Sequence, residues 1–276
     1  MFLMGVINLT PDSFREDTRA MSAPAVQRRV EVLLKRGCGI IDFGAVSTRP
    51  GAAPIPVETE WMRLQPALDF IETAGIPSQD LRQPRLRGRG PSLAMGGAKR
   101  SETVGEGIPA VSVDTTSAEI VRRVYGRIGR FIVNDISAGE DDARMLPTVA
   151  ELGLPYIAMH KRGTSRSMDS LTDYPLGVVA AVDGYFRKFA SRAESLGIRE
   201  WILDPGFGFA KTAEQNWELL ENLSALRHFG RPILVGVADK RFTRTPNPFA
   251  AETAAEGSEY AERLAAERGA DILRVH

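Results

Sequence analysis

The residues able to do chemistry in this chain gather at the ends of short apolar runs. Asn8 ends "MFLMGVIN" and opens "NLTPDSF", residues 8–14, where an amide, two hydroxyls, a carboxylate and a proline share seven positions. Asp42 stands in "GIIDFG", Asp114 ends "AVSVD", Asn134 and Asp135 end "RFIVND", His160 ends "PYIAMH" and Asp204 ends "WILD". Lys240 follows just past Gly236 of "PILVG", and Arg274 and His276 close "DILRVH". Singly, each has a modest reading: Asp204 before Pro205-Gly206 and Asp114 before "TTSAE" suit turns and helix caps. His160 and Asp42 read as satisfied structural residues. As a set they are costly to desolvate unless partners or a polar ligand satisfy them. Asp and Asn around one pocket match a flat heterocycle that carries ring N–H and amine donors beside carbonyl acceptors. Cations near the last two runs match an anionic group on the same ligand.

The elements that must position these groups follow from periodicity. "FLMGVINL", "GIIDFG", "AVSVD", "RFIVND", "PYIAMH", "WILD", "PILVG" and "DILRV" are too short for helices and too continuously apolar for a one-sided sheet, which predicts buried parallel strands. Amphipathic stretches at 23–36, 57–73, 117–126, 142–152, 176–196, 212–227 and 250–268 alternate with them. The alternation predicts an α/β fold, a (β/α)8 TIM barrel of about 250 residues, as a single domain over 1–276. A doubly wound open sheet competes, but the strand-to-helix count and the lack of a G-x-G-x-x-G turn after the first strand favour the barrel. Strand C-termini in a barrel converge on one face, where polar run ends would meet.

Two features interrupt the pattern. Residues 75–108, before the third strand, are rich in Gly, Pro, Ser and Arg without periodicity and read as a disordered insertion. Its cations, Arg82, Arg85, Arg87, Arg89, Lys99 and Arg100, read as a solvated loop. The sequence also ends at "RVH", so no helix is expected after the eighth strand, leaving an outer flank uncovered. Equal numbers of basic and acidic side chains, 35 each, and a pI near 6.9 give no general attraction to nucleic acid or an anionic membrane. The single cysteine, Cys38, excludes internal disulfides and reads as a buried small hydrophobe in a reducing compartment. With no signal-peptide pattern and no run of about twenty apolar residues, the expected location is the cytoplasm.

The segments "MGVINLTPDSF", "IIDFGAVSTRPGA", "VSVDT", "FIVNDISAG", "MHKRGT", "ILDPGFGFAKTAEQN", "ILVGVADKRF" and "GADILRVH" resemble, in order and at compatible spacing, the dihydropteroate synthases of the pterin-binding enzyme family. The resemblance covers nearly the whole chain outside 75–108, and N-x-T-P-D-S-F with S-T-R-P-G is its most specific part. It implies a transferase of folate biosynthesis on a (β/α)8 barrel. Such enzymes join 7,8-dihydropterin-6-ylmethyl diphosphate to 4-aminobenzoate and release diphosphate with help from Mg²⁺. By resemblance, Asn8 would ligate the Mg²⁺, and Asp114, Asn134, Asp204 and Lys240 would hold the pterin, with Met159 near it and Arg274 against the ring. Thr48, Arg274 and His276 would contact the diphosphate. Phe209, Phe14 and Pro50 would sandwich 4-aminobenzoate, with Arg49 or Arg241 at its carboxylate. The expected route is dissociative, with early C–O cleavage and attack by the neutral aniline nitrogen. A homodimer is also implied.

Departures bear on activity. After "ILVGV" the family usually has Ser-Arg-Lys, whereas this chain has Ala238, Asp239 and Lys240, which sets an acid beside the expected anion site. Lys161 stands where methionine is common. A divergent or C-terminally truncated member is therefore expected, with a pterin-binding methyltransferase domain or a non-catalytic pterin-binding subunit as alternatives.

Overall fold

The computed structural model describes residues 1–10, 22–47, 54–74, 110–164, 167–244 and 253–276. The stretch 75–108 lies outside them, as do Phe14, Thr48, Arg49, Pro50 and most of "NLTPDSF". Eight strands occur where the apolar runs predict them: β1 (Phe2–Asn8), β2 (Cys38–Gly44), β3 (Ala110–Asp114), β4 (Ile132–Asp135), β5 (Tyr156–Met159), β6 (Trp201–Asp204), β7 (Leu234–Val235) and β8 (Ile272–Val275). They form one parallel sheet in the order β6-β5-β4-β3-β2-β1-β8-β7. Its two edges meet at a parallel bridge between Leu203 and Ile233, where the Leu203 N–H donates to the Pro232 carbonyl at 3.0 Å. The sheet is thus a barrel, which removes the unpaired edges of an open sheet.

The helices are α1 (Ala23–Lys35), α2 (Val57–Thr73), α3 (Ala118–Ile128), α4 (Met145–Leu152), α5 (Val178–Ser195), α6 (Ala213–Glu221), α7 (Arg241–Arg244) and α8 (Ala254–Glu267). The first six each follow the strand of the same number, and α7 and α8 both lie between β7 and β8. No helix follows β8 among the described residues.

Local chemistry sets several boundaries differently from the periodicity. Asp142 does not start α4; its carboxylate accepts from the N–H groups of Ala118 and Arg144, each at 3.0 Å, and so supports the first turn of α3. The amphipathic stretch 212–227 divides into α6 and a 3-10 segment, Leu223–Phe229, because the Asn222 side chain donates to the Glu218 carbonyl at 2.8 Å and closes the helix. Thr212 with Gln215, and Thr253 with Glu256, form reciprocal capping boxes that start α6 and α8.

Side-chain alternation divides the interior into two compartments. Outward positions such as Ile41, Phe43, Val113 and Val133 pack against the helices through residues such as Val30, Leu33, Leu68 and Val124. Inside the barrel, Met4, Ile40, Ala110, Ile132, Ile157, Leu234 and Ile272 form an apolar plug with the partly buried Ile202, one residue from each strand. Two residues further along each strand the same inner face carries, in strand order, Val6, Asp42, Ser112, Asn134, Met159, Asp204, Gly236 and Arg274. Four residues along, β1, β2 and β3 present Asn8, Gly44 and Asp114. The barrel is thus filled with hydrocarbon at one end and polar chemistry at the other. Asp135 points the opposite way from Asn134: it accepts from Ser137 N–H and Oγ (2.7 Å each), Gly139 N–H (2.9 Å) and Tyr156 OH (2.6 Å), a satisfied anchor on the helix side.

The packing of α1 on the barrel depends on Gly5, where an added Cβ would sit 2.8 Å from Leu33 Cδ1 and 3.1 Å from Cys38 Sγ. Gly5→Ala is expected to lower stability by about 1–3 kcal/mol through overpacking. An unchanged urea midpoint would show that α1 can move away freely.

Candidate active site

The polar end of the barrel is a connected set of side chains. On the β2–β4 side, Asp42 accepts from Ser112 Oγ at 2.6 Å and from Asn134 Nδ2 at 3.0 Å. Opposite, Asp204 accepts from the Gly206 N–H at 2.8 Å through Oδ1 and from Arg274 Nη1 at 3.0 Å through Oδ2. Arg274 reaches β6 from β8 by crossing β7 at Gly236, where a Cβ would lie 2.7 Å from its guanidinium. Gly206 is required for another reason: its φ is +70° and a Cβ would fall 1.9 Å from the His160 carbonyl oxygen. At the lip, Asn8 Oδ1 and Asp114 Oδ2 lie 3.6 and 3.4 Å from the Cβ position that Gly44 leaves empty, so two hard oxygens flank one open point.

One wall is apolar. Phe209 packs with Met159, Met168 and Ala210, and the Lys240 ammonium lies over the Phe209 ring, 5.2 Å from its centroid. Arg274 lowers the proton affinity of Lys240, and Arg274 and Lys240 together lower that of His276.

Electrostatics follow from this crowding. Burial, then the neighbouring Asp42 carboxylate, pushes Asp114 well above the usual carboxylate range. Burial also raises Asp42, while its bonds from Ser112 and Asn134 and the charge of Arg274 oppose the shift. Burial and Arg274 bring the Lys240 amine down to about 8. For Arg274 burial works against the charge, but Asp204, Asp42 and Asp114 together outweigh it and hold the guanidinium charged. His276 is lowered by burial and by Arg274 and Lys240.

Of the residues picked from the sequence, Asn8, Asp114, Asn134, Met159, Asp204 and Arg274 share the barrel's inner face at this end, with Phe209, Lys240 and His276 around it. Arg241 is exposed at the start of α7, next to Lys240. Thr48, Arg49, Pro50 and Phe14 are outside the described residues. Asp239 adopts φ +55° and its side chain is largely exposed, 4.0 Å from Arg244, so its charge is turned toward solvent while still raising His276. Lys161 forms an ion pair with Asp141 at 2.6 Å, which accounts for a cation in place of an apolar residue. The cleft between α3 and α4, about 260 Å³ and lined by Ala118, Glu119, Arg122 and Pro147 among others, contains none of the mouth residues.

Two contributors are not evident from run ends. Ser112 sits inside an apolar run, and only the inward alternation of β3 reveals it. Lys211, in "GFGFAK", looks like a surface lysine but is 9% exposed, its ammonium donating to the carbonyls of Gly206 (2.8 Å) and Phe209 (3.0 Å) and facing His160 Nδ1 at 3.0 Å. It ties the end of β5 to the loop that carries Phe209. Burial pushes His160 well below its ordinary value, which leaves a neutral ring able to accept that bond.

Burial also lowers Lys211 from 10.5 to about 7. Between those values the unfolded chain holds a proton that the folded one lacks, so stability attributable to this group rises with pH across the window. In urea unfolding at about pH 6 and about pH 9, the wild type is expected to gain on Lys211→Met at the higher pH. A gap that is the same at both would contradict the buried-amine assignment.

Comparison with known proteins bears on this geometry. The family model described as "Pterin binding enzyme" matches residues 4–77 and 101–276. The chain is 34% identical over 277 residues to the dihydropteroate synthase of Escherichia coli K12, covering 99% of this chain and 86% of that one. It is 34% identical over 282 residues to the folic acid synthesis protein fol1 of Pneumocystis carinii, of which it spans 34% of the length. Among solved structures, Xanthomonas albilineans dihydropteroate synthase with 4-aminobenzoic acid superposes with a TM-score of 0.77 at 31% identity, covering 100% of this chain and 87% of that one. The same enzyme in complex with 7,8-dihydropteroate gives 0.73 at 28% identity. With its barrel, its polar mouth and these relatives in agreement, the chain belongs to the dihydropteroate synthases of the pterin-binding enzyme family.

Proposed function

We propose that this chain is a transferase that condenses 7,8-dihydropterin-6-ylmethyl diphosphate with 4-aminobenzoate, giving 7,8-dihydropteroate and diphosphate for folate biosynthesis. The observation that carries this reading is the division of the mouth into an acceptor side and a cationic side. Asn134 Oδ1 is buried without a hydrogen-bond partner among the described residues, and Asp204 and Asp114 lie on the same inner face. Such acceptors suit the amine and ring N–H groups of a pterin edge. The Lys240 and Arg274 cations, with the His276 ring beside them as a hydrogen-bond donor, suit a ligand whose other end is an anion. The wall of Phe209 and Met159 suits the face of an aromatic ring.

A magnesium ion fits the lip. Asn8 Oδ1 is a hard donor beside the open point at Gly44, and no group of three or more His, Cys, Asp or Glu able to hold a metal occurs among the described residues. A site with so few protein ligands suits Mg²⁺, which keeps waters and binds through substrate phosphates. Asn8 would hold the ion there, where it would supply positive charge to the leaving diphosphate.

The chain's own residues do the rest by position and charge. Asp204, fixed by the Gly206 N–H and Arg274, holds the ring edge, and Asn134 adds a second acceptor. Lys240, pinned over Phe209, and Arg274 face the side on which negative charge grows as the C–O bond to diphosphate breaks. The ring carries the resulting positive charge, and the neutral aniline nitrogen of 4-aminobenzoate adds to the exocyclic carbon and then sheds a proton. No strong base is needed, since the amine is unprotonated near neutral pH. The buried lone Cys38 agrees with a reducing compartment such as the cytoplasm, and no described helix is long and apolar enough to cross a membrane.

Diphosphate release with Mg²⁺, with and without 4-aminobenzoate, tests the reading. The wild type is expected to form dihydropteroate only with both substrates. Asp204→Ala should lose pterin binding, whereas Asn8→Ala should keep it while turnover falls about 100-fold. A folded wild type that binds pterin yet forms no product, or equal mild losses in both variants, would overturn the assignment.

A further inference from the structure

We propose that Asp42 is a positioning residue that fixes which end of the Asn134 amide faces the ligand, and so decides that the site demands a donor at that point of the ring edge. The inference deepens the pterin reading and rests on it for the identity of the ring.

The two ends of an Asn amide are nearly the same size, so packing does not choose between them; only hydrogen-bond partners do. Asn134 is 2% exposed, and its nitrogen donates to Asp42 Oδ2 at 3.0 Å. The other Asp42 oxygen, Oδ1, accepts from Ser112 Oγ at 2.6 Å. A carboxylate with a donor on each oxygen is acceptor-only, so the end of Asn134 that meets it is the NH2. The amide oxygen is thereby turned away and left buried without a partner among the described residues. A buried orphan acceptor is unfavourable, and a ligand N–H that reaches it removes that cost.

The ionised state of Asp42 is part of the device, since a protonated Asp42 could donate and let the amide turn. Burial on balance raises Asp42, while its two donors and the positive Arg274 oppose that shift, so the hold on Asn134 weakens as pH falls. Asp42 touches no reacting atom in this arrangement. It acts through Asn134, two strands away, and Ser112 on the intervening strand holds it there.

Asp42→Asn tests the idea with almost no change of shape. The new amide at position 42 can still accept from Ser112, and its NH2 then faces Asn134, which must turn its oxygen inward to meet it. A donor would replace the acceptor in the mouth. The double variant Asp42→Asn/Asn134→Asp restores an acceptor, because a carboxylate at position 134 can take the inward bond with one oxygen and present the other.

Calorimetry would compare three ligands on each protein: 6-hydroxymethyl-7,8-dihydropterin; fully oxidised 6-hydroxymethylpterin, with a bare ring nitrogen in place of N–H; and the dihydrolumazine, with a carbonyl in place of the amine. Asp42→Asn is expected to bind the dihydropterin about tenfold or more weakly and to shift preference toward one of the two acceptor analogues, and the double variant to recover most of the loss. Wild-type affinities and preferences in Asp42→Asn, or no recovery in a folded double variant, would overturn the proposal. Side-chain NH2 exchange in the ligand-free wild type gives an independent arm, with the Asn134 signals identified by their loss in Asn134→Asp. Slow exchange supports the hold by Asp42, and fast exchange overturns it even if Asp42→Asn fails to fold. If the wild type binds none of the three ligands, the pterin reading fails, and the exchange measurement still decides the role of Asp42.

Discussion

The polar end of this barrel depends on the ion pair between Arg274 and Asp204. Asp204 is fully buried, and burying a carboxylate is costly without a close positive partner and additional donors. Arg274 is that partner, at 3.0 Å, and the Gly206 N–H is the extra donor. The pair also spans the weakest seam of the sheet. Strand β7 has only two residues, and β6 meets its start through a single bridge, so a side chain from β8 that passes over Gly236 to β6 links strands that the backbone barely joins. One guanidinium therefore serves closure and charge balance together. Its field reaches Asp42 and Asp114 as well, which lets three carboxyl groups share one small volume.

The second constraint is the two-residue period of the strands. The same inner face that carries Met4, Ile40 and Ile132 at the closed end carries Asp42, Asn134 and Asp204 two residues later. A shift of one residue in any strand would send its polar group to the helix side and an aliphatic group into the mouth. Asp135 shows the alternative fate. One position from Asn134, it faces the helices and is saturated by Ser137, Gly139 and Tyr156, with no acceptor capacity left for a ligand.

Much of this was legible in the sequence. Continuous apolar runs marked the eight strands because both faces of a barrel strand are covered, and the polar run ends marked the mouth. Less legible were features that depend on three-dimensional partners. Asp42 reads as structural, and it is hydrogen-bonded like a structural residue, but one of its bonds comes from Asn134, a mouth residue on another strand. Ser112 and Lys211 carry no sequence signal of burial, since one is small and the other is usually solvated; the inner face of β3 and the carbonyls of Gly206 and Phe209 give them their roles. The split between α6 and the 3-10 segment, and the late start of α4, turn on single side-chain bonds from Asn222 and to Asp142 that an amphipathic pattern does not register. The acid at Asp239 looks disruptive in the linear sequence, yet its left-handed backbone turns it out toward Arg244.

The proposed reading divides the mouth by chemistry, with acceptors for a ring edge on one side and the cations Lys240 and Arg274 for an anionic tail on the other. The most direct test is a crystal structure of the chain with 6-hydroxymethyl-7,8-dihydropterin. The ring is expected inside the barrel mouth, its donor edge on Asn134 and Asp204, with Arg274 still touching Asp204. A ring seated against the outer helices, or inside the barrel with neither of those two residues in contact, would contradict this picture.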